Sequence, residues 1–247
     1  MSVIDATRPV APAAAPPAPA APAKSRLGLY GWLALAAVAA TQAIAVALSP
    51  ADAAMGHTQK IMYVHVPTAW CAFLAFGIVF AYSVLYLWKN EQKHDDAALA
   101  AAEVGTALTA LTLAQGSIWG RPTWGIWWTW DPRLTTTAIL LLIFAGYLAL
   151  RAFTEDPEKA GRWSAAVGIF GFINVPIVFM SVRWWRTIHQ VQSTGDSVAP
   201  VYKLGLLMNV ITFTVLMLVL IARRVEAARL ERLVDARREA RILSEGR

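Results

Sequence analysis

LGLLMNVITFTVLMLVLIA, residues Leu204–Ala222, runs from end to end without a charged side chain. About 20 apolar residues is the length at which a helix crosses the hydrocarbon core of a bilayer. Five earlier blocks read the same way: Leu27–Leu48, Pro67–Trp88, Ala97–Ile118, Leu134–Leu150 and Trp163–Ser181. Across all six, the one formal charge is Glu103, in the first third of its block. A backbone in lipid must satisfy its own hydrogen bonds, so each block is read as a helix. Helices of a large soluble core would show a polar face, and these show none. The whole chain is 57% hydrophobic and 15% charged, against about 25% charged in soluble domains. The fold class predicted is all-α, a polytopic membrane protein with six transmembrane helices over residues 27–222.

The flanks differ in kind. Residues 1–26 include an Ala/Pro-rich run, Val10–Ala23, which can neither bury apolar surface nor form a regular helix; a disordered lead-in is expected. It is not read as a signal peptide, because the Pro-rich run precedes the first apolar block. Residues 223–247 form a basic tail with Leu230, Leu233 and Val234 on one side, suited to a solvated helix near anionic lipid. Lys and Arg set the orientation. With the N-terminus in the cytoplasm, the inner segments hold 16 of them and the outer segments 6. The expectation is N-in and C-in in a bacterial inner membrane, with Ser49–Val66, Trp119–Arg133 and Val182–Lys203 facing the periplasm. The sole cysteine, Cys71, lies within an apolar block. No internal disulfide, Cys-x-x-Cys pair or Cys-x-x-Cys-His haem attachment site is therefore available. A phosphate-binding Gly-x-x-x-x-Gly-Lys-Ser/Thr loop is also missing from the sequence, so nucleotide chemistry would have to come from a partner.

The unusual residues gather in the outer loops. Five of the 11 tryptophans, Trp119, Trp124, Trp127, Trp128 and Trp130, fall within twelve residues of WGRPTWGIWWTWDPRLT, which begins at Trp119. An interfacial belt needs one or two per helix end. Gly120, Pro122 and Gly125 are expected to interrupt regular structure. One turn of helix would put Trp124, Trp127 and Trp128 on one face. Flat apolar rings on a kinked loop suit a flat apolar ligand: haem, with quinones and lipid headgroups as rivals. Asp131 before Pro132 reads first as the N-cap of the fourth helix. Arg133 follows in the first turn and can clamp a carboxylate, as can Arg121, Arg183 and Arg186; for each, snorkelling to headgroups is the competing reading.

His65 is expected just outside the second helix, with Pro67 in the first turn, where the helix N-terminus disfavours a charged imidazole. His189 follows the fifth block, with Trp185 placed to pack on it if that loop is helical. As residues alone, the pair are either metal ligands or ordinary surface and core histidines. His57 lacks aromatic neighbours, and His94 faces the cytoplasm. Within the membrane, Thr106, Thr109 and Thr112 form a stripe leading to Gln115. Asn174 and Asn209 are expected to pack against other helices, Pro176 to kink the fifth helix, and Glu103 either to serve a function or to snorkel inward.

The tryptophan-rich string resembles the "WWD" motif of the haem-handling family that includes cytochrome c maturation proteins C and F and the System II haem proteins. The six-helix plan and short chain resemble the protein C branch. The resemblance implies haem b, held non-covalently in transit, with His65 and His189 as axial ligands. It implies Trp119, Trp124, Trp127, Trp128, Trp130, Asp131 and Arg133 around the haem. It also implies delivery to a periplasmic haem chaperone, CcmE, alongside the ATP-binding-cassette subunits CcmA and CcmB and the small membrane protein CcmD. A non-enzymatic role follows. The alternative is a permease that moves haem across the membrane itself, for which broken helices and intramembrane polar groups are sparse. An electron-transfer haem protein would need histidine pairs at membrane depth, and no histidine lies within an apolar block.

Overall fold

The computed structural model describes residues 27–189 and 198–245. The lead-in of residues 1–26 lies outside that range. The chain folds as helices α1 (Leu27–Leu48), α2 (Met62–Lys89), α3 (Gln92–Trp124), α4 (Pro132–Phe153), α5 (Pro157–Phe172), α6 (Asn174–Trp184) and α7 (Pro200–Glu245), with a short 3-10 turn at His57–Ile61. Six stretches are long and apolar enough to cross a membrane, α5 and α6 together forming one. The all-α, six-span expectation holds.

Local chemistry sets most of the ends. Asp131 and Asp156 cap α4 and α5: Asp131 Oδ1 accepts from Arg133 N–H at 3.0 Å, and Asp156 Oδ1 accepts from Glu158 N–H at 3.0 Å. Each cap is followed by Pro at the first helical position, where its missing N–H costs nothing. Gly125 closes α3 at φ 78°, a left-handed conformation that favours glycine. Pro176 leaves the Phe172 carbonyl without its helical donor, and the fifth span breaks at Ile173, between α5 and α6. The kink is as expected, located three residues before the proline.

Several boundaries differ from the sequence reading. The link between α2 and α3 is Asn90–Glu91 alone, since α3 begins at Gln92. His94, Asp95 and Asp96 are buried, because their helix packs on its neighbours. Neither Gly120 nor Pro122 interrupts α3, which runs on to Trp124; only Gly125 does. At about 1.5 Å per residue, 46-residue α7 is roughly 70 Å long, more than twice a bilayer core. The basic tail is therefore an unbroken continuation of the sixth span, with Leu230, Leu233 and Val234 exposed.

The core centres on α2, which packs against α3, α5 and α7. Phe76 stacks on Phe144 of α4 at 3.7 Å. α5 approaches closely through Gly161, Ser164, Ala165, Gly168 and Gly171, a small-residue stripe of the kind that lets membrane helices touch. At Gly168 a Cβ would stand 2.9 Å from Val79 Cγ1 and 3.0 Å from Ser83 Oγ. Gly168→Leu is therefore expected to abolish recovery of folded protein in detergent, read as loss of the monodisperse peak in size exclusion.

The polar membrane residues serve packing, as expected. Asn174 Nδ2 donates to Thr136 O at 2.9 Å. Asn209 binds Gly205 O at 2.8 Å and meets Thr41 of α1. Glu103 does not snorkel free; Arg224 of α7 donates to both of its oxygens. Arg232 likewise clasps Asp96. Arg151 of α4 holds Asp95 through two bonds, at 2.6 and 2.7 Å. These pairs gather α3, α4 and α7 at the end remote from the tryptophans.

Candidate functional site

His65 and His189 line one cavity at the tryptophan end of the bundle. His65 sits inside α2 rather than before it, because the helix starts at Met62. Pro67, also inside, offers no N–H to the Tyr63 carbonyl, and Gln42 Nε2 of α1 supplies the donor at 2.6 Å. That exchange lets the helix extend outward past the proline and carry His65 with it. Gly116 of α3 leaves room for the ring: a Cβ there would be 3.2 Å from His65 Cε1. Trp119 meets the imidazole edge-on, with centroids 5.7 Å apart. His65 Nδ1 is buried without a hydrogen bond, and the polar group facing the ring is the backbone of Thr112.

His189 is held differently. Its Nδ1 lies 3.3 Å from Asp131 Oδ1, within ion-pair range, without meeting hydrogen-bond geometry. Asp131 Oδ2 accepts from Ile188 N–H at 2.9 Å. The cap of α4 therefore also ties down the His189 loop. Burial works against the Asp131 carboxylate. Bonds from the Thr187 hydroxyl and the Ile188 and Arg133 amides outweigh it and hold the group below the usual carboxylate range. Burial and the Arg133 guanidinium keep His189 below the ordinary imidazole value, so it is neutral at pH 7 and ready to ligate. Trp124 packs on His189 at 5.2 Å. The expected partner, Trp185, ends α6 in an extended conformation and packs on Trp184 instead.

Each of the two imidazoles thus has one tryptophan of the motif against it. The other three stand apart. Trp127, Trp128 and Trp130 are 59%, 38% and 77% exposed. They do not share a helical face with Trp124, because Gly125 ends α3 first. Ser117 Oγ donates to Trp127 O at 2.7 Å, and Arg121 donates to Gly125 O, folding this loop back on α3. Arg121 is used in that way, Arg183 and Arg186 are exposed, and Arg133 reaches the site.

The shared cavity measures about 350 Å³ and is also lined by Gln59, Trp119, Trp124 and Tyr202. A second, of about 480 Å³, opens beside His65 among Trp70, Phe172, Phe179 and Arg133. Sites for small ligands and cofactors are typically about 300–1,000 Å³ and mostly apolar. A smaller pocket of about 50 Å³, also lined by both histidines, takes in Thr109 and Thr112, whose hydroxyls donate to their own helix at Gly105 O and Leu108 O. Gln59 and Tyr202 escaped the sequence reading: one lies in the Gly- and Ala-rich loop, the other at the start of α7, and no motif marks either. His57 is exposed and outside the cavities, and His94 is buried against Tyr82 at the far end.

Among the described residues no cluster of three or more His, Cys, Asp or Glu could hold a bare metal ion. Two imidazoles lining one cavity fit a metal that brings its own equatorial ligands, as haem iron does.

The family model described as heme exporter protein C matches residues 10–240. The heme exporter protein C of Bradyrhizobium diazoefficiens is 42% identical over 195 residues, 76% of this chain and 74% of that protein. That of Escherichia coli strain K12 is 37% identical over 164 residues, 64% of this chain and 66% of that protein. A Marchantia polymorpha mitochondrial protein, named as ccmC-like in cytochrome c biosynthesis, is 39% identical over 154 residues, 62% of this chain and 64% of that protein. The chain belongs to the heme exporter protein C family, a multi-pass membrane family whose role is haem handling for cytochrome c maturation.

Proposed function

We propose that this protein holds haem b non-covalently between His65 and His189, at the periplasmic face of a bacterial inner membrane, and passes it to the haem chaperone CcmE. The observation that carries the reading is that the two imidazoles line one cavity, each braced by a tryptophan of the same motif. In this reading the imidazoles supply the axial bonds to iron. Trp119 and Trp124 orient them, and Arg133 neutralises a propionate. The exposed Trp127, Trp128 and Trp130 form the surface over which the macrocycle is handed on. The chain itself catalyses no reaction. ATP-driven steps belong to CcmA and CcmB, with CcmD completing the assembly. The Lys and Arg bias supports an N-in, C-in orientation with the tryptophan end outside.

The test has two arms. In a Cys71→Ala background, Thr129→Cys should react with an impermeant thiol reagent added to spheroplasts, and Gln92→Cys should not; the reverse pattern overturns the orientation. Trp127→Ala combined with Trp128→Ala should cut delivery of haem to the chaperone severalfold while leaving membrane insertion intact. Normal haem delivery by that variant would reduce these two rings to interfacial anchors.

A further inference from the structure

The two candidate iron ligands differ in what stands behind them. His189 Nδ1 lies 3.3 Å from a carboxylate that is 3% exposed. That carboxylate is fixed by the amides of Ile188 and Arg133 and by the Thr187 hydroxyl. Neither Nδ1 makes a full hydrogen bond, but His65 has no carboxylate against it; the polar group that reaches its ring is the neutral backbone of Thr112. A carboxylate accepting the distal N–H of a ligating histidine fixes its tautomer and orientation and raises its basicity, whereas a neutral carbonyl does so weakly. The Trp119 ring and Gly116 of α3 face His65. Of the charged side chains lining its cavities, Arg133 is a cation, and the Asp52 carboxylate is taken up by the Ala54 and Met55 amides.

We infer that the site is built asymmetrically: His189 is the anchoring ligand and His65 the exchangeable one, with Asp131 as the positioning residue that makes the difference. This rests on the haem reading above. When another ligand displaces His65, the Fe–Nε2 bond to His65 breaks and its lone pair returns to the imidazole. The incoming donor supplies a lone pair to the vacated position. No electron is transferred, and the haem stays attached through His189. Such an arrangement lets cargo be approached from one side without being dropped.

The experiment uses the full chain, purified in detergent and loaded with haem. Haem loss is followed by transfer to excess apomyoglobin. His189→Ala should lose haem roughly tenfold to a hundredfold faster than His65→Ala, the range typical when an outer partner of a metal ligand matters. Asp131→Asn is the companion variant, because its single carbonyl oxygen can keep the helix cap and still face His189 while the charge is removed; its amide nitrogen replaces the oxygen that accepts from Ile188 N–H. In the ferrous His65→Ala protein, adding Asp131→Asn should lower the Fe–His stretching frequency in resonance Raman spectra and speed haem loss toward the His189→Ala rate. Equal loss rates for the two single variants, faster loss from His65→Ala, or an Fe–His stretch unmoved by Asp131→Asn would each overturn the asymmetry. Failure of the unaltered protein to bind haem would instead overturn the underlying reading.

Discussion

Replacing His65 or His189 with alanine is expected to shift the haem absorption bands of the purified protein, while His57→Ala and His94→Ala leave them as they are. The four side chains occupy distinct environments. His65 and His189 line the same cavity. His57 is exposed outside it, and His94 is 7% exposed at the other end of the bundle. Loss of one imidazole should turn six-coordinate iron into a five-coordinate species, and free imidazole should restore much of the original spectrum by filling the vacancy. The pattern separates ligation from stability. His94 is the more buried of the two controls, so its replacement should lower the melting temperature without moving the bands. A spectral change in His57→Ala with none in His65→Ala would reassign the ligand.

A second large effect is expected at the far end. The Asp95 side chain is 4% exposed and that of Arg151 16%, and the pair is bidentate, at 2.6 and 2.7 Å. Two charges taken out of water gain little net stability by pairing, but removal of one leaves the other stranded. Asp95→Ala should therefore destabilise the fold by about 3–5 kcal/mol, read as a large drop in melting temperature and yield. The protein that survives should show an unchanged haem spectrum. Replacing Arg151 by Met together with Asp95→Ala should recover most of the loss, because no buried charge then stays unpaired. A single variant as stable as the original would show that water reaches this pair.

The membrane spans were legible because hydropathy decides them. In lipid the backbone has no alternative to the helix, so six blocks become six crossings whatever their neighbours do. The helix ends at the tryptophan side were not legible, because they are settled by partners distant in sequence. Pro122 and Gly120 read as breakers, yet Trp119 and Trp124 pack on His65 and His189 and hold the last turns of α3 in place. Pro67 read as a helix start, yet a glutamine of α1 takes over the carbonyl it leaves open. Asp131 illustrates both sides. Its cap on α4 is a local signal, visible from Asp-Pro alone. Its bond to Ile188, 57 residues on, and its contact with His189 are tertiary facts that no local pattern encodes. The histidine pair was legible as two residues near one motif; that each is braced by a different tryptophan was not.

The central claim is that one haem binds between His65 and His189. Titration of the detergent-purified, haem-free full chain with haem, followed in the visible spectrum, tests it most directly. The account predicts saturation at one haem per chain with a six-coordinate, low-spin spectrum, and no saturable binding by the His65→Ala, His189→Ala double variant of intact fold. A double variant that binds haem with the original affinity and spectrum would contradict it.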